Sequence, residues 1–286
     1  MLKRHSLVDV LSSSVPLATC DRISLVANFA NRLQVEKWLA SELHCEPIGL
    51  VSWPYRQAWK TLFGMVIYFR DPMSDSVPEV RIEFNPSKIY VDPHSHLRGI
   101  CGLLFPLFSG LKDVRYTRLD IAVDYPIDLS IYQYTLKSGV VKSIKYYGRD
   151  GALETVYLGG ANSSRRFRIY NKALEAGLQG EVLWRIEAQY RFDEETENDI
   201  WVKDLFGDLE ISSYAPSEQL PVSTLAVLYF LENHPEAISS FAPASRAKYR
   251  KLMKLEKATI YHPEEAWSNQ CGPILNFLNW ITVPLK

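Results

Sequence analysis

Apolar and polar residues alternate along this chain in short runs, and the alternation predicts strands more often than helices. Arg22 to Phe29 (RISLVANF) reads as a buried strand, Trp59 to Arg70 as a second, and Val80 to Phe84 as a third that stops at Asn85-Pro86. Between the first two, Asn31 to Leu43 carries Leu33, Val35, Trp38, Leu39 and Leu43 at helical spacing, with Asn31 placed to cap the helix. Asp71 to Pro78 is rich in turn formers, and after Asp92-Pro93 an apolar run over about Leu97 to Leu111 predicts a long helix. A second round follows. Tyr116 to Tyr125 (YTRLDIAVDY) is a strand, and Asp128 to Ser138 reads as a helix capped by Asp128. Further strands fall at about Lys145–Gly148, Glu154–Leu158, Arg166–Lys172 and Val182–Arg191, joined by short glycine-containing pieces as hairpins need.

The two rounds repeat one order: strand, helix, strands. Arg22-Ile-Ser-Leu-Val-Ala-Asn28 aligns with Arg118-Leu-Asp-Ile-Ala-Val-Asp124, and Arg81-Ile82-Glu83 aligns with Arg185-Ile186-Glu187. From about Asp193 the pattern turns helical. Pro221 to Asn233 is apolar on several faces and reads as a buried helix; Ile274 to Val283 reads as the last one. The expected fold is α+β: antiparallel or mixed sheets from two similar βαβ-type halves, followed by a C-terminal helical region. The expected divisions are an N-terminal arm or helix (1–20), a scaffold half (21–114), a half carrying the chemistry (115–192) and a helical region (193–286).

Composition narrows the class only a little. The net charge of −1 excludes a uniformly basic nucleic-acid binder, so any basic surface must be local. One local stretch is Pro243 to Ala258, where Arg246, Arg250, Lys254 and Lys257 lie at offsets of four, eight and eleven, one helical face, with Lys251 beside them. Cys20, Cys45, Cys101 and Cys271 are scattered, with no zinc-like spacing, which suits reduced thiols in a cytoplasmic protein. Lys3-Arg4-His5 with Leu7 to Val15 resembles a secretory signal, but Asp9 and three consecutive serines interrupt it. No stretch approaches the ~20 apolar residues of a membrane-spanning helix, so no membrane partner is expected.

The chemistry concentrates in Arg165-Arg166-Phe167-Arg168-Ile169-Tyr170-Asn171-Lys172. As a strand this puts Arg166, Arg168, Tyr170 and Lys172 on one face. A phenol among cations can meet an anion, and nearby positive charge favours its ionisation. Tyr170 is therefore expected to attack a DNA phosphate, with Arg168 and Lys172 countering charge on the phosphate oxygens. In Arg118 to Asp124, Asp120 and Asp124 share the polar face; at ~3.3 Å per residue they stand about 13 Å apart and cannot both hold one ion. Asp120 with Glu187 from a neighbouring strand is the favoured carboxylate pair for Mg²⁺ or Mn²⁺, with Asp124 as an alternative. The competing reading pairs Asp120 and Glu187 with Arg118 and Arg185. His94-Ser95-His96 is read as a loop or helix-cap feature rather than a metal site.

The ordered strings Arg81-Ile-Glu-Phe-Asn-Pro86, Arg118 to Asp124, Arg168-Ile-Tyr170-Asn-Lys172 and Arg185-Ile-Glu187 resemble the Rep_trans replication initiators of rolling-circle plasmids of the pT181 type, which are related to relaxases of some conjugative elements. The resemblance covers roughly residues 20 to 260. It implies that Tyr170 nicks one strand at the plasmid origin, stays linked to the 5′ phosphate and leaves a 3′ hydroxyl primer, with strands rejoined at termination. It implies metal dependence through acidic residues, a homodimer, cooperation with a host superfamily 1 helicase, and origin recognition by a C-terminal element, for which Arg246 to Lys257 is the candidate. The alternatives are a conjugative relaxase and a non-catalytic DNA-binding protein.

Overall fold

The computed structural model describes residues 16–41, 45–49, 51, 53–89, 96–138, 142–195, 204–214, 220–255, 257–259 and 261–282, and their side chains except at 96–98, 193–195, 213–214, 232–233 and 254–259. The fold is α+β. Two long strands, β1 (Leu17–Phe29) and β6 (Leu111–Tyr125), pair antiparallel at the centre of a sheet that has ten strands among the described residues. On one side of this pair lie β5 (Val80–Phe84), β4 (Val66–Arg70), β3 (Tyr55–Lys60) and β2 (Glu46–Ile48), in that order outward. On the other side lie β11 (Trp184–Glu195), β10 (Arg165–Asn171), β9 (Leu153–Leu158) and β8 (Ser143–Tyr147). Each arm therefore runs outward from its first strand through its last and back in reverse chain order. At the centre the pairings Arg22↔Asp120 and Ser24↔Arg118 exchange the positions that the two sequence strings align. The arms differ further out: Ser24 faces Glu83 on β5, while Asp120 faces Gln189, two residues beyond Glu187, on β11.

One sheet face carries the core. Ile23, Leu25, Ile67, Ile82, Leu119, Ile121, Val123, Phe167, Ile169 and Ile186 are buried, as strand alternation with one covered face requires. Helices α1 (Arg32–Ala40), α2 (His96–Phe108) and α6 (Pro263–Thr282) belong to that cluster. Phe84 meets Phe277, Phe108 meets Trp280, and the Tyr116 hydroxyl donates to the Leu278 carbonyl at 2.7 Å. Gly110 lets β6 start against α1: a Cβ there would lie 2.8 Å from Val35 Cγ2, and its carbonyl accepts from the Ala30 and Asn31 amides.

Several sequence expectations are corrected. Leu17–Cys20, placed in the N-terminal arm, open β1; the rest of that arm, residues 1–15, lies outside the described residues. The strand expected over 59–70 is a hairpin, because Gly64 turns with φ of 82° and Thr61 Oγ1 accepts from the Met65 amide. The helix expected over 128–138 is instead a turn, where Asp128 accepts from the Ser130 amide, followed by β7 (Gln133–Leu136). β7 pairs with β12 (Leu209–Tyr214), which pairs with β13 (Lys257–Thr259), so the C-terminal region is not purely helical. Helix α4 (Val222–Asn233), expected to be a buried helix apolar on several faces, buries Leu228 and Leu231 but leaves Val222 82% exposed.

Candidate active site

The face of the sheet opposite the core carries the polar residues of β1, β5, β6, β11 and β10. Its centre is set by register. Tyr170 on β10 faces Arg185 on β11, which faces Asp124 on β6; one step along, Tyr157 on β9 faces Arg168, which faces Glu187, which faces Ala122. Asp120 faces Gln189 and so stands diagonal to Glu187 on the neighbouring strand.

Asp120 and Glu187 are each only 3% exposed. Asp120 accepts two hydrogen bonds from Arg118, Nε at 2.8 Å and Nη2 at 2.7 Å. Burial still raises its pKa, against the lowering effect of Arg118. Glu187 is less compensated. Gln189 Nε2 donates to its Oε1 at 2.6 Å, and Arg168 Nη1 stands 4.0 Å from its Oε2. Burial first, then the charge of Asp120, push the Glu187 carboxyl up to about 7. The pairing of Asp120 with Arg118 is the one that the competing sequence reading anticipated; the pairing of Glu187 with Arg185 does not form.

Arg185 instead holds Asp124, Nε to Oδ1 at 2.6 Å and Nη2 to Oδ2 at 2.7 Å, while its Nη1 donates to Asp21 at 2.8 Å. Both Asp124 oxygens are thereby engaged by a buried guanidinium. In this conformation Asp124 is the partner of Arg185, much as Asp120 is of Arg118, and to meet an ion it would have to give up those bonds and leave Arg185 with Asp21 alone.

Tyr170 lies beneath Arg168, whose Cζ is 3.8 Å from the ring centroid, and is 2% exposed. Burial pushes its pKa up, outweighing the lowering by Arg185, and the charges of Glu187, Glu175 and Asp21 add to the rise. The expectation that cations favour the phenolate is corrected for this conformation: desolvation of the ring decides the sign. Lys172 does not extend the strand. Asn171 ends β10 and caps α3 (Lys172–Ala176) by accepting from the Leu174 amide at 2.9 Å. Lys172 Nζ sits 5.8 Å from the Tyr170 centroid and forms an ion pair with Glu175. Arg166 covers Tyr157, Cζ at 3.7 Å, rather than Tyr170. The Nε atoms of Arg166 and Arg168 are buried and have no hydrogen-bond partner among the described residues.

A cleft of about 450 Å³ opens over this face, lined by Asp120, Glu187, Arg168, Gln189 and Arg118 among others. Among the described residues no three His, Cys, Asp or Glu side chains converge as a metal-binding group. His94 and Ser95 lie outside the described residues, as does the side chain of His96, which opens α2. Sequence reasoning missed Asp21, Glu175 and Tyr157. Glu175 follows Lys172 at helical i,i+3 spacing and Tyr157 alternates onto the polar face of β9, so both were findable; Asp21 gave no signal, because it reaches Arg185 on a strand it does not pair with.

None of the described residues of the basic ridge lines this cleft. The ridge lies on α5 (Pro243–Leu255), which packs against α4. Arg246 donates to the Phe241 carbonyl at 3.1 Å, while Arg250 and Lys251 are exposed. Lys254 has no described side chain, and Lys257 is corrected from the helix to β13, opposite Tyr214.

No family model matches the chain. Its similarity to curated proteins is to replication initiation proteins of Staphylococcus aureus: one is 35% identical over 181 residues, covering 61% of this chain and 54% of the relative, and two others are 33% identical over the same length. The chain thus spans about half the length of the curated relatives it matches. Among solved structures, a rolling circle replication initiator protein from Geobacillus stearothermophilus aligns with a TM-score of 0.47 at 15% identity, over 71% of this chain and 89% of that one. Among the described residues no helix is long and apolar enough to cross a membrane.

Proposed function

We propose that the chain is a DNA-nicking and strand-joining initiator of rolling-circle plasmid replication, of the Rep_trans type. The observation that carries this reading is the buried carboxylate pair Asp120–Glu187, opening to a cleft beside the arginine that covers Tyr170. Similarity to replication initiation proteins supports it. Origin DNA is the substrate, and Tyr170 attacks the scissile phosphodiester. The bond between phosphorus and the 3′ oxygen breaks, the freed 3′ hydroxyl primes synthesis, and the 5′ phosphate stays on the tyrosine. Reverse attack rejoins the strand, because the phosphotyrosine bond keeps the phosphodiester's reactivity.

The donors present fit Mg²⁺ or Mn²⁺. Such ions are commonly held by one or two carboxylates, with waters and substrate phosphate oxygens filling the remaining positions. Glu187 and Asp120 would be those carboxylates, and bound metal would polarise the phosphate. Arg168 must leave the Tyr170 ring for the phenol to reach a phosphate, and the same movement frees its guanidinium to pair with that phosphate. A homodimer, a host helicase, a cytoplasmic location and origin reading through Arg250 and Lys251 complete the proposal.

The test is an SDS-stable adduct between the protein and a labelled origin oligonucleotide in Mg²⁺. Tyr170→Phe is expected to form none; an undiminished adduct from that variant ends the assignment. One observation favours a second nucleophile. Tyr157 is half-buried where Tyr170 is buried, and it shares the polar face beneath Arg166. Adduct loss in Tyr157→Phe with retention in Tyr170→Phe moves the role to Tyr157. A conjugative relaxase uses the same chemistry and is separated by asking whether the chain supports plasmid replication or transfer. A non-catalytic DNA-binding protein gives no adduct from any variant.

A further inference from the structure

The cleft that Asp120 and Glu187 line does not end at the midline of the sheet. It crosses the central β1–β6 pair onto the first arm, where Lys60, Phe63 and Lys88 line it together with Glu83 and Asn85. Lys60 ends β3, Phe63 sits in the β3–β4 turn, and Lys88 sits in the 3₁₀ turn Pro86–Lys88 that follows β5. These elements belong to the arm that sequence reading treated as scaffold.

The charges in the cleft are not equally available. Arg22 is held by Glu83 at 2.5 Å and Arg118 by Asp120, so these pairs cancel where they stand. Lys60 and Lys88 are exposed and make no ion pair with a described residue, and Arg168 keeps a buried Nε without a partner. The unpaired lysines thus lie at the first-arm end of the cleft and Arg168, 3.5 Å from Glu175 and 4.0 Å from Glu187, at the other, with Asp120 and Glu187 between them. Phe63 is half-buried and lines the same cleft, an aromatic surface in a cleft that also carries the two lysines. Cations that track a backbone, with an aromatic ring on which a base can stack, are the elements of a single-strand binding groove. The volume of about 450 Å³ falls in the ~300–1,000 Å³ range of small-ligand pockets.

We infer that the first arm supplies a single-stranded DNA subsite, in which Lys60 and Lys88 hold backbone phosphates and Phe63 stacks a base of the nucleotide next to the scissile phosphate. The inference rests on the proposed nicking function for the identity of the strand. The subsite fixes the register of the strand over Glu187 and Arg168, and leaves the bond-breaking step to the second arm.

The experiment measures binding of a fluorescent single-stranded oligonucleotide by anisotropy across rising NaCl, for wild type, Lys60→Ala/Lys88→Ala and Phe63→Leu. Both lysines are exposed, so the double variant keeps its fold, and leucine keeps the half-buried apolar volume at position 63. For the lysine variant, affinity falls on the order of tenfold at low salt, and the slope of log K against log salt decreases by about 0.7 per lysine. Phe63→Leu weakens affinity about tenfold at every salt concentration and leaves the slope unchanged. Unchanged affinity and slope in the lysine variant overturn the subsite, as does failure of wild type to bind the oligonucleotide. If wild type binds but forms no covalent adduct, the nicking reading falls and the lysine comparison still decides the subsite.

Discussion

The two arms of the sheet hold similar strings in the same strand order, yet they treat their carboxylates differently. In the first arm Glu83 is gripped by Arg22 and also pairs with Arg81. In the second arm the aligned residue, Glu187, receives a neutral amide and a guanidinium no closer than 4.0 Å. Ser24 stands where the second arm has Asp120, its hydroxyl buried without a hydrogen-bond partner among the described residues, so no second acid presses on Glu83 from that position. Each arm also sets a tyrosine opposite an arginine, Tyr68 with Arg81 and Tyr170 with Arg185. Only Tyr170 is roofed by a further arginine and flanked by a lysine. A carboxylate becomes available for chemistry through what is missing around it; the string Arg-Ile-Glu alone does not decide that.

The comparison breaks most sharply at the tyrosines. Tyr170→Phe is expected to lower covalent nicking by at least ~10³-fold, because it removes the atom proposed to attack. Tyr68→Phe is expected to leave it unchanged. Gel-resolved adduct formation reads both, and equal losses would mean that the arms share the chemistry.

Next in size is Asp124. Asp124→Ala strands Arg185 in a site where its charge is largely desolvated, at a cost of about 3–5 kcal/mol. Asp21 retains one bond to Arg185, which puts the expected value at the low end. Urea unfolding checks it. A loss below about 1 kcal/mol would return Asp124 to the pool of free ligands.

Glu187 gives a pH test. Its folded-state pKa lies above the ordinary carboxylate value, so between pH 4.5 and about 7 the folded protein binds the extra proton. Stability from this group is therefore present at low pH and falls as pH rises through about 7. Glu187→Gln removes that loss. At pH 8 and without metal it is expected to be the more stable protein, by on the order of 3 kcal/mol, and at pH 4 to match wild type. Glu83→Gln is expected to act in the opposite direction at pH 8, since it releases Arg22 and Arg81. Added Mg²⁺ should raise the melting temperature of wild type at pH 8 and leave Glu187→Gln unmoved. A metal-induced rise in that variant would remove Glu187 from the ligand set.

Much of this frame was legible in the sequence, for physical reasons that differ by element. Strands β6, β10 and β11 pair a core face with a polar one, so strict alternation gave both the strand and the facing of Asp120, Arg168 and Glu187. Segment 128–138 misled because Leu129, Tyr132 and Thr135 sit near helical spacing, while pairing of Tyr134 with Ile211 and Leu136 with Leu209 makes it a strand. That pairing is tertiary and leaves no local mark. The burial of Tyr170 was likewise hidden, because the string shows its cations but not that Arg168 folds over the ring.

The smallest contrast is between Asn28 and Asp124, aligned positions near the ends of β1 and β6. Asn28 Oδ1 accepts from the Glu79 amide at 3.3 Å, and its Nδ2 donates to Asp113 at 3.2 Å in an exposed setting. Both bonds are long, and neither neutralises a buried guanidinium. Asn28→Ala is therefore expected to cost about 1 kcal/mol, the net worth of one ordinary hydrogen bond, and to leave nicking unaffected. The same urea titration that measures Asp124→Ala measures it. A cost near that of Asp124→Ala would mean that the first arm carries a strained polar network of its own, and the contrast drawn at the glutamates would have to rest on Asp120 alone.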